Sequence, residues 1–168
     1  EMLSVHARLA PQRVGARDLD RAMTFAQWNE RSCRLANALL GLGLAKGDRV
    51  AILAYNCVEW CEIFAATAKA GLVALPINFR LVGKEVEFIV NNAEAAAFIV
   101  QDELAGIVEE IRAALPIKSD RFVHFGAQAC PAGYRNYEDF LAAGSAREPN
   151  QPVALSDPWT LMYTSGTT

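Results

Sequence analysis

Short apolar runs alternate with amphipathic helical segments along most of this chain. Residues 50–54, 72–77 and 95–100 are apolar on both faces, which is typical of strands buried in a parallel sheet. The segments between them repeat apolar residues at helical spacing. Strands and helices that alternate in this way are joined by right-handed crossovers. The sequence therefore predicts a single α/β unit over residues 1–168, doubly wound, with a mainly parallel sheet and helices on both faces.

Capping patterns predict where the first helices begin. Residues 13–21 have the pattern of an opening strand and hairpin. Thr24 and Gln27 then stand three residues apart, which is the spacing of a capping box. Asn56 and Glu59 repeat that spacing before the next amphipathic segment. We therefore expect helices that start directly after Thr24 and Asn56.

Later helices have similar start and stop signals. Gly71 should end the second predicted helix, because glycine readily adopts the left-handed conformation of a C-cap. Asp102 should cap a helix that follows the strand at 95–100, and Asn136 should cap a short helix over Tyr137–Ala143. A short strand is expected at 121–125 between those two helices.

Composition excludes several classes of function. The net charge of −3 argues against a nucleic-acid binder, which would be basic. No uncharged apolar run reaches the ~18 residues of a membrane span. The first residues lack the shape of a signal peptide, so a cytoplasmic location is expected.

Cysteine and histidine do not form a recognisable catalytic or metal-binding pattern. Cys57 and Cys61 would share a helix face, but no second pair of ligands lies near them in sequence, so no metal site is predicted. The four cysteines are expected to be free thiols that pack as small apolar side chains. His6 and His124 do not belong to a nucleophile motif.

The last ten residues contain the candidate binding site. Residues 159–163 are apolar and predict a buried strand, and a loop of four hydroxyl side chains around one glycine follows it. Such a loop can surround a phosphate with backbone N–H and O–H donors, and glycine allows close approach. A plain polar turn is the alternative. No P-loop or dinucleotide-binding motif occurs elsewhere. The candidate phosphate ligands are Thr164, Ser165, Gly166, Thr167 and Thr168.

Three segments resemble motifs of the adenylate-forming enzymes, the superfamily that includes acyl-CoA synthetases and peptide-synthetase adenylation domains. Residues 159–168 are similar to the phosphate-binding signature of that superfamily, although its second half, with a lysine, is absent here. Residues 23–28 and 69–78 resemble two earlier motifs, in the same order as in the family. Residues 76–81, Pro-Ile-Asn-Phe-Arg-Leu, resemble the corresponding segment in the acyl- and aryl-CoA synthetase branch of the superfamily.

The resemblance implies an ATP-dependent acid–thiol ligase, of which this chain is the N-terminal portion of a larger AMP-binding domain. Such an enzyme activates a carboxylic acid as an acyl-adenylate, releases pyrophosphate and transfers the acyl group to CoA, with Mg²⁺ as cofactor. The loop at 164–168 would hold the ATP phosphates, and Arg80 would contact a phosphate of CoA or make an ordinary surface contact. No catalytic residue is implied within these 168 residues.

The implied partners are the acid, ATP, CoA and the remainder of the polypeptide, and homodimer formation is left open. Two alternatives also stay open at this point. One is an amino-acid adenylation domain of the peptide-synthetase type, and the other is a non-catalytic α/β binding module.

Overall fold

The computed structural model describes residues 2–164, which form seven strands and six α-helices. The strands in chain order are β1 (Val14–Arg17), β2 (Ala22–Thr24), β3 (Arg49–Leu53), β4 (Val73–Ile77), β5 (Ala95–Gln101), β6 (Phe122–Phe125) and β7 (Arg135–Asn136). The helices are α1 (Met2–Leu9), α2 (Phe25–Gly41), α3 (Val58–Ala70), α4 (Gly83–Asn92), α5 (Ala105–Ile111) and α6 (Tyr137–Ala143). Among these described residues, no helix is long and apolar enough to cross a bilayer.

The central sheet has five parallel strands in the order β4-β3-β5-β6-β7, and β1 pairs with β2 in a separate antiparallel hairpin. In the middle of the sheet, Ala51 of β3 lies opposite Leu75 of β4 and Phe98 of β5. The predicted parallel α/β architecture is confirmed.

Alternate residues of each strand supply two separate cores. Val50, Ile52 and Ile99 point to one face, where they pack with apolar residues of α2, α3 and α6. Leu53 and Phe98 point to the other face and pack against α4 and α5. Both faces of the central strands are therefore buried, which explains why these strands read as continuous apolar runs. The prediction of helices on both faces is confirmed.

Three predicted caps form as expected. Thr24 Oγ1 accepts a hydrogen bond from the Gln27 backbone N–H at 3.2 Å, and Gln27 Oε1 accepts one from the Thr24 N–H at 2.8 Å. Gly71 ends α3 with a left-handed φ of 68°. Asn136 Oδ1 accepts a hydrogen bond from the Asp139 N–H at 3.1 Å and starts α6.

The cap predicted for α3 is wrong, because a side chain from the opening hairpin caps this helix instead. Asn56 makes no cap, and the helix starts at Val58. Asp18 Oδ2 accepts a hydrogen bond from the Val58 N–H at 3.1 Å. Glu59 lies 2.6 Å from Arg21 Nη1, so its carboxylate is engaged in a salt bridge rather than a capping box. The β1–β2 hairpin is therefore attached to α3 by two charged contacts.

The cap predicted at Asp102 is also wrong. This residue lies in the 3₁₀ turn Asp102–Leu104, and α5 begins only at Ala105. Its carboxylate turns towards the end of β6: Oδ1 lies 2.8 Å from His124 Nε2, and Oδ2 accepts a hydrogen bond from the Gln128 N–H at 2.8 Å. The side chain therefore stabilises the loop after β6 instead of a helix start. α1 was not predicted from the sequence.

Candidate functional site

The strand order reverses between β3 and β5, and ligands of doubly wound sheets bind outside the carboxyl ends of the strands at such a point. The helix that follows β3 packs on one face of the sheet, and the helix that follows β5 packs on the other. Tyr55 comes just after β3, and its backbone N–H donates a hydrogen bond of 2.8 Å to Oε1 of Gln101 at the end of β5. The two strand ends are therefore linked at the carboxyl edge of the sheet.

A tight turn after β4 places an exposed arginine at the same edge. Asn78 Oδ1 accepts a hydrogen bond from the Arg80 N–H at 3.0 Å, and the Asn78 carbonyl accepts one from the Leu81 N–H at 3.1 Å. The Arg80 guanidinium lies 5.4 Å from the centroid of the Phe79 ring, which packs edge-to-face on Tyr55 at 4.9 Å. No carboxylate within residues 2–164 forms a salt bridge with Arg80. Its charge is therefore accessible to an anion.

The run that leads to Thr164 lies parallel to β4, on the side that faces away from β3. Thr160 pairs with Ala74 in a parallel bridge. The Ala74 N–H donates to the Trp159 carbonyl, and the Leu161 N–H donates to the Ala74 carbonyl, both at 2.9 Å. Because the pairing is parallel, the chain after the bridge runs towards the carboxyl ends of the strands. Thr164, which is exposed, therefore emerges at the edge where the turn after β4 also lies.

Residues 159–163 do not form the buried strand that the sequence predicts. They make the single bridge at Thr160, and the side chains of Trp159, Leu161 and Met162 are 52%, 37% and 69% exposed. The run pairs with β4 alone, so no second strand within residues 2–164 completes its ladder or covers its apolar side chains. These residues are apolar, but burying them requires a further strand or helix beside the run, and residues 2–164 do not supply one.

Two aromatic side chains anchor this run to the rest of the protein. Trp159 Nε1 donates a hydrogen bond of 3.1 Å to the Phe64 carbonyl, and the Tyr163 hydroxyl bonds to the Asn92 side chain. Thr164 follows directly after the second anchor. Of the predicted phosphate ligands, the structure describes only Thr164, and the other four lie outside the described residues: Ser165, Gly166, Thr167 and Thr168.

A buried histidine–carboxylate pair, which was not predicted from the sequence, lies at the carboxyl ends of β5 and β6. His124 and the Asp102 side chain are both almost fully buried, with 2.8 Å between His124 Nε2 and Asp102 Oδ1. Gly126 has a φ of 140°, and any Cβ there would collide with the Asp102 carboxylate. The recognisable signal was a polar residue placed directly after one strand and a histidine within the next. The Asp102 carboxylate therefore holds the loop after β6 at the carboxyl edge of the sheet.

The cysteine thiols do not have the chemistry of nucleophiles. Burial raises the pKa of the Cys33 thiol to about 11 and that of the Cys57 thiol to about 12. Burial also raises the pKa of Cys61. Because the thiolate is the reactive form, these side chains are unreactive at neutral pH and contribute by packing.

Comparison with known proteins gives consistent results. Residues 3–168 match the protein family described as AMP-binding enzyme. The long-chain-fatty-acid–CoA ligase FadD13 of Mycobacterium tuberculosis is 38% identical over 158 residues, which are 89% of this chain and 28% of that protein. A feruloyl-CoA synthase of Amycolatopsis sp. is 34% identical over 162 residues, 96% of this chain and 30% of that protein.

A solved structure shows the same fold. The anthranilate CoA ligase AuaEII, crystallised in complex with anthranoyl-AMP, matches with a TM-score of 0.87 and 30% identity. The match covers 99% of this chain and 32% of that one. The chain thus spans less than a third of the length of each of these proteins.

Proposed function

Because the chain belongs to the AMP-binding enzyme family, we propose that it is the N-terminal part of an ATP-dependent acid–thiol ligase. In the proposed reaction, the substrate carboxylate attacks the α-phosphorus of ATP, and the bond to pyrophosphate breaks as the acyl-adenylate forms. The thiol of CoA then attacks the acyl carbon and displaces AMP. The relatives named above are ligases or synthases of CoA esters of fatty or aromatic acids, so we infer an acid of one of these two classes.

The observation that carries this proposal is the parallel bridge between Thr160 and Ala74. It directs Thr164 towards the edge where doubly wound sheets bind ligands, and we propose that Ser165, Gly166, Thr167 and Thr168 act with it there as phosphate ligands. There, hydroxyl and backbone donors would hold the β- and γ-phosphates while negative charge develops on the leaving pyrophosphate. None of these residues acts as a nucleophile or base, because the substrates supply the reacting atoms.

Magnesium would accompany ATP rather than occupy a site made by the described residues. Among residues 2–164, no three His, Cys, Asp or Glu side chains cluster in a way that could hold a metal ion. Mg²⁺ is commonly held by substrate phosphates with one or two carboxylates, and it neutralises phosphate charge when bound. The described residues therefore do not provide the ligands of a complete magnesium site.

Arg80 is the proposed contact for a phosphate of CoA. It is exposed at the carboxyl edge, it rests over Phe79, and within the described part of the chain its guanidinium has no carboxylate partner. In the full-length enzyme, Arg80→Ala should raise KM for CoA without changing acid-dependent pyrophosphate release in the absence of CoA. Arg147→Ala removes another exposed arginine, from the linker after α6, and should leave both quantities unchanged. An unchanged KM for CoA in Arg80→Ala would assign Arg80 an ordinary surface role.

We also infer that residues 1–168 are the first portion of a larger AMP-binding domain. Two observations support this inference. The chain spans less than a third of the length of each relative, and apolar side chains within residues 159–162 are exposed. A homodimer and a cytoplasmic location remain predictions, which light scattering and cell fractionation of the full-length protein would test.

The activity itself is tested with the full-length protein, ATP, Mg²⁺, CoA and a panel of fatty, hydroxycinnamic and aminobenzoic acids. We expect pyrophosphate release that depends on one of these acids, together with its CoA ester. Amino-acid-dependent pyrophosphate exchange without a CoA ester would instead indicate a peptide-synthetase-type domain. Tight binding of ATP to the 168-residue chain, with no turnover by the full-length protein, would indicate a non-catalytic module.

The site assignment has a separate test. Thr164→Val removes one hydroxyl at nearly constant volume and should lower pyrophosphate release by roughly 100-fold, as for the loss of one preorganised donor. Thr160→Val makes the same change four residues earlier, at the bridge, and should leave the rate within about twofold because no phosphate contact is lost. Equal rates for the Thr164 variant and the wild type would refute the assignment while leaving the ligase activity intact.

A further inference from the structure

The last contact that fixes the chain before Thr164 is made by a side chain. Thr160 pairs with Ala74, and the Leu161 N–H donates the last backbone hydrogen bond from this run to β4. In the described part of the chain, no backbone hydrogen bond holds the three residues that follow Leu161. The position of Thr164 therefore depends on the side-chain contacts of Tyr163, the residue directly before it.

Tyr163 makes its contacts on the face of the sheet that α4 covers. Its half-buried ring packs against the apolar core beneath α4 and α5, and its hydroxyl donates a hydrogen bond to Oδ1 of Asn92, the last residue of α4. Trp159 bonds instead to the Phe64 carbonyl of α3, which packs on the opposite face. Side chains four residues apart in a regular strand point to the same face, so the run twists between its two anchors. The bond to Asn92 then fixes the twisted chain one residue before Thr164.

Asn92 belongs to a part of the protein that is itself firmly held. The inner side of α4 is buried in the core of the α/β unit. Directly after the helix, the Arg49 guanidinium of β3 donates hydrogen bonds of 2.6 Å to the Ala93 carbonyl and 2.8 Å to the Glu94 carbonyl. The hydrogen bond from Tyr163 therefore ties the run to a helix end that the central sheet already holds in place.

We propose that Asn92 is a positioning residue for pyrophosphate release, and that it acts through the Tyr163 hydroxyl on Thr164. The inference rests on the proposed function, in which Thr164 donates to the phosphates of ATP. Donors of this kind stabilise a transition state only when they are in place before the charge develops. Asn92 itself does not touch the substrate in this assignment. Its amide oxygen holds the residue that precedes the first phosphate ligand.

The test measures the two half-reactions of the full-length enzyme separately. Pyrophosphate release from ATP, with Mg²⁺ and the acid that gives the highest rate, depends on the phosphate ligands. Thioester formation from the preformed acyl-adenylate of that acid and CoA does not, because pyrophosphate has already left. One typical hydrogen bond changes an equilibrium by about fivefold. Asn92→Ala should therefore lower kcat for pyrophosphate release by about fivefold and leave thioester formation within about twofold of the wild-type rate.

Three further variants show whether the loss comes from this hydrogen bond. Tyr163→Phe removes the donor and should also lower pyrophosphate release by about fivefold. The double variant Asn92→Ala/Tyr163→Phe should lose about fivefold rather than about 25-fold, because both changes remove the same bond. Asn91→Ala is the matched control, since this neighbouring amide donates to the Glu87 carbonyl at 3.0 Å and the Ala114 carbonyl at 3.4 Å. It should release pyrophosphate at the wild-type rate.

Three results would overturn the inference. The first is an unchanged rate of pyrophosphate release in Asn92→Ala. The second is a loss of about 25-fold in the double variant, which would show that the two side chains act independently. The third is an equal loss in both half-reactions, which would assign Asn92 a general structural role. A wild-type enzyme without acid-dependent pyrophosphate release would instead refute the proposed function, and this inference with it.

Discussion

Gly144 ends α6 at a point where it touches the backbone of α2, and replacing it with alanine should be strongly destabilising. A Cβ at this position would collide with the Arg34 carbonyl oxygen and lie 2.9 Å from its carbonyl carbon and 3.1 Å from the Ala38 nitrogen. Carbon atoms in contact normally lie about 3.5 Å or more apart, so the two helices would have to separate by more than about 0.6 Å. All the obstructing atoms belong to the backbone, so no change of side-chain rotamer relieves the contact.

The expected cost is near the upper end for overpacking, about 3 kcal/mol. Separation would also disturb the hydrogen bond of 3.1 Å from Arg34 Nη1 to the Gly144 carbonyl and the core residues of α6, Tyr137 and Phe140. In urea denaturation of the 168-residue chain, with a slope of about 2 kcal/mol per M, the midpoint should fall by about 1.5 M.

Gly106→Ala is the matched control. Gly106 lies in the first turn of α5, is exposed, and has no atom within 4 Å of a Cβ built at its position. Alanine should therefore be neutral or raise stability by up to about 0.5 kcal/mol, because it has the better helix propensity. A Gly144→Ala midpoint within about 0.5 M of the wild type would refute the close packing of α6 on α2.

Two further predictions concern the capping and the charges of the helices. Thr24→Ala removes the cap of α2 and should cost about 1 kcal/mol, whereas Asn56→Ala should change the urea midpoint little. Burial raises the pKa of the Glu59 carboxyl, but hydrogen bonds from Arg21, from its own backbone N–H and from Cys57, together with the charge of Arg21, outweigh burial and leave this pKa below its ordinary 4.5. The stabilisation from its charge is therefore complete above pH 4.5 and is lost as the pH falls through the lowered pKa. Glu59→Gln should cost about 1 kcal/mol at pH 7, since Arg21 is half exposed, and progressively less below pH 4.5, measured by urea midpoints from pH 7 to pH 3. A loss that is independent of pH, or an equal loss in the exposed Glu30→Gln control, would contradict this reasoning.

The sheet was predictable because each central strand is marked by its own short run of apolar residues, and this pattern recurs along the chain. β3, β4 and β5 are buried on both faces, so each appears in the sequence as an apolar run bounded by turn residues. One helix lies between each pair of successive strands, and strand–helix–strand alternation of this kind is typical of right-handed crossovers in a parallel sheet. The placement of helices on both faces follows from the same rules, whereas the strand order β4-β3-β5-β6-β7 was not predicted.

The helix starts were predictable only where the capping group is close in sequence. Thr24 and Asn136 cap the helices that directly follow them. At α3 the capping carboxylate belongs to Asp18, which is 40 residues away from Val58. The cap predicted at Asp102 is absent because the Asp102 carboxylate contacts His124 and accepts a hydrogen bond from the loop after β6. A local pattern cannot reveal a partner that only the tertiary fold brings close.

α1 was missed because its pattern differs from that of a helix in the core. Its apolar residues Met2, Val5 and Leu9 face outward, so the segment has no stripe that packs on the sheet. Leu3 and Ala7, which face α2, are only half-buried.

The position of Thr164, the first of the predicted phosphate ligands, depends on topology more than on its own side chain. Thr164 has little apolar surface to bury, so its location depends on the run of residues that precedes it. Thr160 pairs in parallel with Ala74, and a parallel pair places both chain ends on the same side of the sheet. An antiparallel pairing at the same bridge would direct Thr164 towards the amino edge, away from Arg80 and Tyr55. The direction of one bridge therefore decides whether the predicted phosphate ligands and the predicted CoA contact can serve one site.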